Sequence, residues 1–297
     1  MSRVIVNEGR SALTFPQAKL NLGLRVLGTR DDGFHDIQTA MLPIAWHDSL
    51  EIQRVQGRLE GDLKCELQCH GLPIPGGVRG NLIVRAYELL DAAFDLPATA
   101  FHLVKTLPIG AGLGGGSSDG AHALMGLNAL YDLQIERKAL AEFSAELGSD
   151  CPFFLGNGPA WVTGRGDNVQ PWIAKNLRAL SGFAVAVIFP AVHVDTAAAF
   201  AQLDSLRQAD RPRAIETWQE AFDGPAGGWG DKLSNDFQAI VANEHPEIGQ
   251  ALNLLKRAGA LWSMMSGSGS TVFGLFDRVP ARPAGLPASW HWWAGTI

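Results

Sequence analysis

Five glycines fall within seven residues at positions 110–116, and this run constrains the fold more than any other part of the chain. The run follows an alternating segment, residues 101–106, that predicts a strand, and it precedes a segment from about Ser117 to Leu133 that predicts a helix. Glycine permits main-chain conformations closed to other residues and lets a ligand approach the backbone. The start of a helix offers free N–H groups and the positive end of the helix dipole. A glycine-rich turn between a strand and a helix therefore predicts an anion site, above all for phosphate.

Three known glycine patterns compete for this loop. Gly110, Gly112 and Gly115 satisfy the dinucleotide fingerprint, but that pattern is weak alone, and no acidic residue ends a second strand about 20 residues later. A Walker A loop needs a lysine after the last glycine, and none follows Gly116. A protein-kinase loop needs a valine where Ser117 stands, and the His-Arg-Asp and Asp-Phe-Gly motifs are absent from the sequence. The loop is therefore interpreted as a phosphate cradle of another type.

Composition and charge exclude several classes of protein. The 297 residues contain 24 Lys and Arg against 30 Asp and Glu, a net charge of −6 that argues against a nucleic-acid partner. Apolar residues make up 46% and charged residues 18%, which excludes a disordered chain. The strongest apolar run, residues 183–192, is far shorter than the roughly 20 residues that span a bilayer, and residues 1–9 do not resemble a signal peptide. The three cysteines are few and odd in number, which does not indicate the disulfide framework of a secreted protein. The sequence therefore predicts a cytoplasmic protein, and the shortness of its apolar runs predicts no membrane partner.

Cys65, Cys69 and His70 suggest a metal site at first sight. They lie on a short alternating stretch that predicts a strand, where residues four apart are separated by about 13 Å. That separation is too large for a disulfide or a shared zinc ion. We therefore interpret both cysteines as ordinary strand residues.

The order of the predicted elements favours an α+β fold. Strands and helices mix without strict βαβ alternation, which argues against a doubly wound sheet. The length suggests about two domains. Because the pattern changes between about residues 165 and 180, we expect one domain over residues 1–172 and a second over residues 173–297.

The run from Pro108 to Ser118 resembles the phosphate loop of the GHMP kinases, the family of galactokinase and of homoserine, mevalonate and phosphomevalonate kinases. Further segments between about residues 16 and 276 match one branch of that family in order: 18–22, 32–35, 81–86, 148–154, 233–236 and 265–269. The resemblance implies a two-domain GHMP kinase fold with an N-terminal ATP-binding domain, a C-terminal substrate-side domain and the active site in the cleft between them. It also implies an ATP- and Mg²⁺-dependent kinase of the non-mevalonate isoprenoid pathway, acting on the 2-hydroxyl of a methylerythritol joined to cytidine diphosphate.

The resemblance assigns roles to individual residues. Asp150 would be the base that faces the substrate hydroxyl, and Lys19 its charged neighbour. These two residue types suit phosphoryl transfer, which depends mainly on positioning and on stabilising charge. Whether Asp150 takes the proton early or only orients the hydroxyl is left open by the sequence.

The residues implied in ATP binding belong to the first glycine loop and its surroundings: Asn81, Lys105, Pro108, Gly110, Gly112, Leu113, Gly114, Gly115, Gly116, Ser117 and Ser118. The two serines could also cap the following helix, and Ser118 is a candidate for binding Mg²⁺. No other residue is assigned to a metal.

The residues implied in substrate binding are Asn21, Phe34, His35, Thr196, Phe200, Ser268 and Gly269. Phe34 departs from the family pattern, in which tyrosine usually precedes the histidine; a ring can still stack on a base, but the hydroxyl's hydrogen bond is lost. For Phe200 a place in the hydrophobic core is an equal alternative. Ser268 and Gly269 lie in a second small-residue loop, residues 266–270, that would close over the phosphates.

Other functions remain as alternatives. A GHMP kinase for homoserine or mevalonate would not need the Lys19-x-Asn21 and Phe34-His35 segments, which suit a pocket for a base. A nucleotide-binding regulator without catalysis would not need both Lys19 and Asp150, and an NAD-dependent oxidoreductase is a distant third. The chain could be a monomer or a homodimer, and the tryptophan-rich tail, residues 289–293, could pack on the body or form an oligomer contact.

Overall fold

The computed structural model describes residues 4–57, 59, 63–74, 77, 80–156, 158–173, 178–206 and 219–297. Its strands are β1 (Ile5–Asn7), β2 (Ser11–Thr14), β3 (Gln17–Thr29), β4 (His35–His47), β5 (Ser49–Arg54), β6 (Cys65–Gly71), β7 (Thr99–Lys105), β8 (Ala160–Thr163), β9 (Asn168–Pro171), β10 (Ala184–Phe189), β11 (Trp262–Met265), β12 (Val272–Phe276) and β13 (His291–Thr296). Its α-helices are α1 (Leu82–Phe94), α2 (Gly115–Leu130), α3 (Arg137–Leu147), α4 (Cys151–Phe154), α5 (Thr196–Leu206), α6 (Gln238–Glu244) and α7 (Pro246–Arg257), and 3₁₀ turns cover Gln219–Phe222 and Ala226–Asp231. The mixture of helices and sheets confirms the α+β fold class.

The chain divides into two compact units that are not continuous in sequence. The first unit comprises Met1–Ala18, Trp46–Ile109 and Gly114–Gly158, and the second comprises Lys19–Ala45, Gly110–Leu113 and Pro159–Ile297. A single cut at 172/173, as the sequence suggested, does not separate these units. The reason is that β3 and β4 pair in one sheet with β8 and β9, and Leu24 of β3 packs in one core with Ile188 and Phe237.

The first unit is built on a five-stranded sheet in the order β1-β2-β5-β7-β6, in which β6 and β7 run parallel. Helix α2 packs on β2 and β5 and against α1. Alternate residues of β7 are buried, and the last of them is Lys105. Since successive side chains of a strand point to opposite faces, the register that buries Phe101 and Leu103 also directs this lysine into the interior.

The second unit holds two four-stranded sheets, in the orders β3-β4-β8-β9 and β11-β12-β10-β13. Helix α7 has a strongly amphipathic sequence, and its apolar face packs on β11 and β12. The tryptophan-rich tail forms β13, which pairs antiparallel with β10, and Trp290 lies in the core at 8% exposure. The tail thus packs on the body, which is the first of the two alternatives stated above.

The three cysteines are free thiols, and Cys65 and Cys69 lie on β6, which confirms their interpretation as strand residues. Among the residues described, no group of three or more His, Cys, Asp or Glu side chains could hold a metal ion. No helix in the described part of the chain is long and apolar enough to cross a bilayer.

Candidate active site

The first glycine loop leads into helix α2 through left-handed backbone. Gly110, Gly112 and Gly114 have φ angles of 65°, 76° and 69°. Gly114 is the N-cap of the helix, so the first helical residue is Gly115. Because glycine has no side chain, no side-chain hydrogen bond caps this end of the helix. The first backbone bond of the helix runs from the N–H of Ser118 to the carbonyl of Gly114 at 2.9 Å. The N–H groups of residues 115–117 precede that bond, which makes them the donors of a helix N-terminus toward an anion.

The suggestion that Ser117 or Ser118 caps the helix is wrong. Both lie inside its first turn, because Gly115 and Gly116 adopt helical conformation although their sequence reads as loop. Glycine is unfavourable in the middle of a helix, but the first turn lacks most intrahelical bonds and tolerates it. Ser118 is fully buried, and its hydroxyl faces Nδ1 of His122 at 3.4 Å.

Gly112 lies against the second glycine loop. A Cβ at this position would collide with the carbonyl oxygen of Ser266 and would lie 2.9 Å from that of Gly269. Ser266 Oγ donates a hydrogen bond to the Gly112 carbonyl at 3.1 Å, and the N–H of Thr271 donates to Ala111 at 3.2 Å. The segment 110–113 is therefore held in place by the residues that follow β11.

Lys19 and Asn21 form a buried pair on β3. The ammonium of Lys19 donates to Oδ1 of Asn21 at 2.6 Å, and the two residues are only 4% and 1% exposed. Asn21 Nδ2 donates to Oγ1 of Thr39 at 3.0 Å, while the Asn21 backbone N–H donates to Ser266 Oγ at 3.1 Å. The asparagine amide thus orients the lysine, and the predicted role of Asn21 in substrate binding stays a prediction.

Lys105 occupies a buried ionic triad in the first unit. Its ammonium contacts Oδ2 of Asp48 at 2.6 Å and Oδ2 of Asp119 at 2.5 Å. Asp48 Oδ1 also accepts hydrogen bonds from the backbone N–H groups of Thr106 and Leu107, at 2.6 and 2.8 Å. A Cβ added at Gly115 would lie 3.2 Å from the Lys105 ammonium, so the charge lies directly beneath the first turn of α2.

Burial changes the proton affinities in this region. Burial raises the pKa of Asp119 to about 7, although the neighbouring lysine opposes the shift, and Oδ1 of the same carboxyl has no hydrogen-bond partner among the described residues. Burial alone would lower the pKa of Lys105, but Asp119 and Asp48 outweigh it, so the lysine pKa is raised. Burial lowers the pKa of His122 to about 4, which keeps this imidazole neutral.

Asn81 and Asp150 are each at the start of a helix. Asn81 caps α1, since its Oδ1 accepts a hydrogen bond from the N–H of Ile83 at 2.9 Å. Asp150 is half-buried and immediately precedes the short helix α4, whose first residue, Cys151, is fully buried. Burial raises the pKa of the Cys151 thiol to about 12, so this cysteine is not a nucleophile beside the aspartate.

His35 and Phe200 are brought together in the second unit. Their rings stack with centroids 4.3 Å apart and planes at 22°, and His35 Nε2 lies 2.8 Å from Oδ2 of Asp204. Phe200 also contacts Phe237 edge-on at 4.8 Å. Phe200 is thus part of the packing around His35, and its predicted role in substrate binding stays a prediction.

Phe34, Thr196 and Ser268 are accessible. Phe34 is 52% exposed, and the Arg165 guanidinium lies over its ring at 4.8 Å. The hydroxyls of Thr196 and Ser268 are 2.8 Å apart, which joins the start of α5 to the second glycine loop. These residues leave an aromatic face and two hydroxyls available to a ligand.

Three aspartates that contact the predicted site residues were not identified from the sequence. Asp48 and Asp119 hold Lys105 from 57 and 14 positions away, and Asp204 holds His35 from 169 positions away. Asn235 belongs to a segment that the sequence singled out without a role, and its Nδ2 donates to the carbonyls of Met265 and Gly267, both at 2.8 Å. For Asn235, its place in the Leu-Ser-Asn-Asp segment that resembles the family is the signal that could have identified it from the sequence.

Comparisons with known proteins bear on the same segments. The models of the GHMP kinases N terminal domain and of the GHMP kinases C terminal match residues 81–158 and 214–285. A 4-diphosphocytidyl-2-C-methyl-D-erythritol kinase of Bacteroides thetaiotaomicron is 41% identical over 91% of this chain and 94% of its own length. The enzyme of that name from Porphyromonas gingivalis is 38% identical over 90% of this chain and 93% of its own length.

A solved structure agrees with these relatives. The crystal structure of a 4-(cytidine 5'-diphospho)-2C-methyl-D-erythritol kinase is 30% identical, covers 89% of both chains and has a TM-score of 0.67. The two-domain fold implied by the sequence resemblance is confirmed by this structure and by the two family models. The chain belongs to the GHMP kinases and, within them, to the family of the 4-diphosphocytidyl-2-C-methyl-D-erythritol kinases.

Proposed function

We propose that this chain transfers the γ-phosphoryl group of ATP to the 2-hydroxyl of 4-diphosphocytidyl-2-C-methyl-D-erythritol. The observation that carries the proposal is the 41% identity over 91% of the chain to a relative of that name. The glycine loop, the Lys19-x-Asn21 segment and residues 148–154 support the same activity. A solved homoserine kinase is only 16% identical to this chain and a solved mevalonate kinase of Methanococcus jannaschii only 12%, so these two structures support the fold alone.

The start of helix α2 is suited to the phosphates of ATP. The N–H groups of residues 115–117 and the helix dipole attract negative charge. The Lys105 ammonium beneath Gly115 adds positive charge, although its two carboxylate neighbours offset part of it. We assign the remaining residues of 108–118 and Asn81 to ATP by resemblance.

Lys19 and Asp150 are the proposed catalytic residues. The bond between the γ-phosphorus and the bridging oxygen of ADP breaks while the substrate oxygen bonds to phosphorus, and the hydroxyl proton passes to the Asp150 carboxylate. A lysine close to the reacting hydroxyl stabilises the developing alkoxide. Asn21 holds the Lys19 ammonium at 2.6 Å and so limits its rotation.

Mg²⁺ is proposed as part of the metal–ATP co-substrate and not as a resident ion. Ser118, the candidate ligand, is fully buried with its hydroxyl facing His122, and Asp119 is bonded to Lys105. Neither offers an accessible oxygen, so these residues do not fit a protein-held Mg²⁺. We also propose the cytoplasm as the compartment, because all three cysteines are free thiols.

The test measures ADP release with 4-diphosphocytidyl-2-C-methyl-D-erythritol, homoserine and mevalonate as alternative acceptors. We expect turnover with the first acceptor only. Asp150→Asn should lower kcat by about 10²- to 10⁴-fold, because it removes the proton acceptor while keeping the side chain's size. Asp132→Asn is the matched control, since Asp132 has a φ of 50°, a conformation that asparagine tolerates.

Each outcome has a separate meaning. Turnover of homoserine or mevalonate in place of the cytidine substrate would contradict the proposed substrate. Full activity in Asp150→Asn would contradict the catalytic role of Asp150 but would not contradict the proposed substrate. ATP binding without turnover of any acceptor would instead support a regulator.

A further inference from the structure

Helix α5 holds the imidazole of His35 on two sides. Phe200 and Asp204 are four residues apart and therefore lie on one face of the helix. Phe200 stacks on the imidazole with centroids 4.3 Å apart, and Asp204 Oδ2 lies 2.8 Å from Nε2. Stacking fixes the plane of the ring, and the hydrogen bond fixes its rotation within that plane.

The contact with Asp204 also selects a tautomer. An ionised carboxylate only accepts hydrogen bonds, so Nε2 of His35 must carry the proton and donate it. In the neutral ring, Nδ1 is then an acceptor. Nδ1 has no hydrogen-bond partner among the described residues, whereas the histidine side chain as a whole is only 12% exposed.

We infer that Asp204 is a specificity-determining positioning residue, which holds His35 as an acceptor for the exocyclic 4-amino group of the substrate base. This inference rests on the proposed function and on the substrate-binding role that the resemblance implies for His35. Cytosine carries an amino donor at C4, whereas uracil carries an oxygen acceptor there. An acceptor at Nδ1 therefore attracts the first base and repels the second.

The geometry distinguishes this role from a surface ion pair. An exposed pair contributes little to stability, and Asp204 is 41% exposed. Through its contact with His35, Asp204 instead favours the Nε2–H tautomer over the Nδ1–H tautomer of a mostly buried ring. Loss of Asp204 should therefore change discrimination between bases more than it changes folding.

The experiment compares kcat/KM for the cytidine substrate and its uridine analogue at pH 8. We expect the wild type to prefer cytidine, and Asp204→Asn to lower that preference by about tenfold, because the carboxamide can donate to Nε2 and release the tautomer. Asp204→Glu keeps an acceptor and should retain most of the preference. Ser205→Ala, on the same exposed stretch of α5, is the control and should leave the ratio unchanged.

A second readout does not depend on activity. Two-bond ¹H–¹⁵N spectra of protein labelled at its 8 histidines report the tautomer of each ring, and His35→Gln assigns the signal of His35. We expect the Nε2–H form in the wild type and a mixture in Asp204→Asn. An Nδ1–H form in the wild type would overturn the inference.

The kinetic outcomes separate this inference from the proposed function. A wild type that prefers cytidine, with an equal preference in Asp204→Asn, overturns the inference alone. An equal loss of kcat/KM for both substrates also overturns it, since that result indicates a structural role. A wild type that phosphorylates neither substrate overturns the proposed function and, with it, the role of Asp204 in base selection.

Discussion

Two clusters of charged side chains use the same chemistry in different surroundings. In the first unit, Asp48, Lys105 and Asp119 have side chains only 0%, 2% and 4% exposed. In the second unit, Arg30 contacts Asp32 and Asp36 at 3.4 and 2.8 Å, and these side chains are 41%, 46% and 42% exposed. The shortest contacts of the two clusters differ by only 0.3 Å, 2.5 against 2.8 Å.

The carboxyl pKa is shifted in opposite directions in the two clusters. Burial raises the pKa of Asp119 to about 7 despite its contact with Lys105. For Asp32 a hydrogen bond from the Phe34 backbone is the largest effect and lowers the pKa. At Asp119 burial therefore outweighs a short contact with a lysine, whereas at the exposed Asp32 a backbone hydrogen bond, assisted by Arg30, favours the ionised carboxylate.

The largest effect is expected from Lys105→Met, which leaves two buried carboxyls without their cation. Breaking a buried pair from one side typically lowers the free energy of unfolding by about 3–5 kcal/mol. Chemical denaturation monitored by tryptophan fluorescence measures the change. The double variant Lys105→Met/Asp119→Asn should recover part of the loss, because one stranded carboxyl is gone; a double variant less stable than the single would contradict this explanation.

A smaller effect is expected from pH, through Asp119. Its folded pKa is raised, so the folded state binds this proton more tightly than the unfolded state, and stability is gained as pH falls through about 7. Raising the pH from about 5 to 7 should therefore lower the free energy of unfolding by about 2 kcal/mol through Asp119. Urea unfolding at several pH values, compared with Asp119→Asn, isolates the contribution. If the free energy of unfolding changed equally with pH in the wild type and in Asp119→Asn, Asp119 would be ionised throughout this range.

The smallest effect is expected from Arg30→Ala. The cluster it belongs to is open to solvent, where water replaces the lost contacts and salt screens the charges. The thermal midpoint should be indistinguishable from that of the wild type at moderate ionic strength. A shift as large as that of Lys105→Met would end the distinction between the two clusters.

Local patterns predicted most of the secondary structure. The strand predicted over residues 101–106 is observed as Thr99–Lys105, and the helix predicted from about Ser117 to Leu133 is observed as Gly115–Leu130. These elements show their periodicity within a few residues. The start of α2 was placed two residues late, because glycines that form a helical first turn cannot be distinguished by sequence from glycines of a loop.

The candidate site was predictable only as a set of residues. The resemblance selected Lys19, Asn21 and His35, but not what each one contacts. Asn21 is fixed by Thr39, 18 positions away, and by Ser266, 245 positions away, and His35 by Asp204, 169 positions away. No local pattern encodes such separations, since they arise from the packing of β3, β4 and α5.

By itself the sequence determined the α+β class and the kinase family and predicted a phosphate-binding loop, because glycine spacing, side-chain alternation and short motifs are local properties. The tertiary structure decided that residues 19–45 belong with the second unit, that Lys105 lies between two aspartates and that Asp204 faces His35. These features depend on which distant surfaces are buried together. Burial sets the strength of a charge contact, and hydrogen-bond partners set which proton a histidine carries.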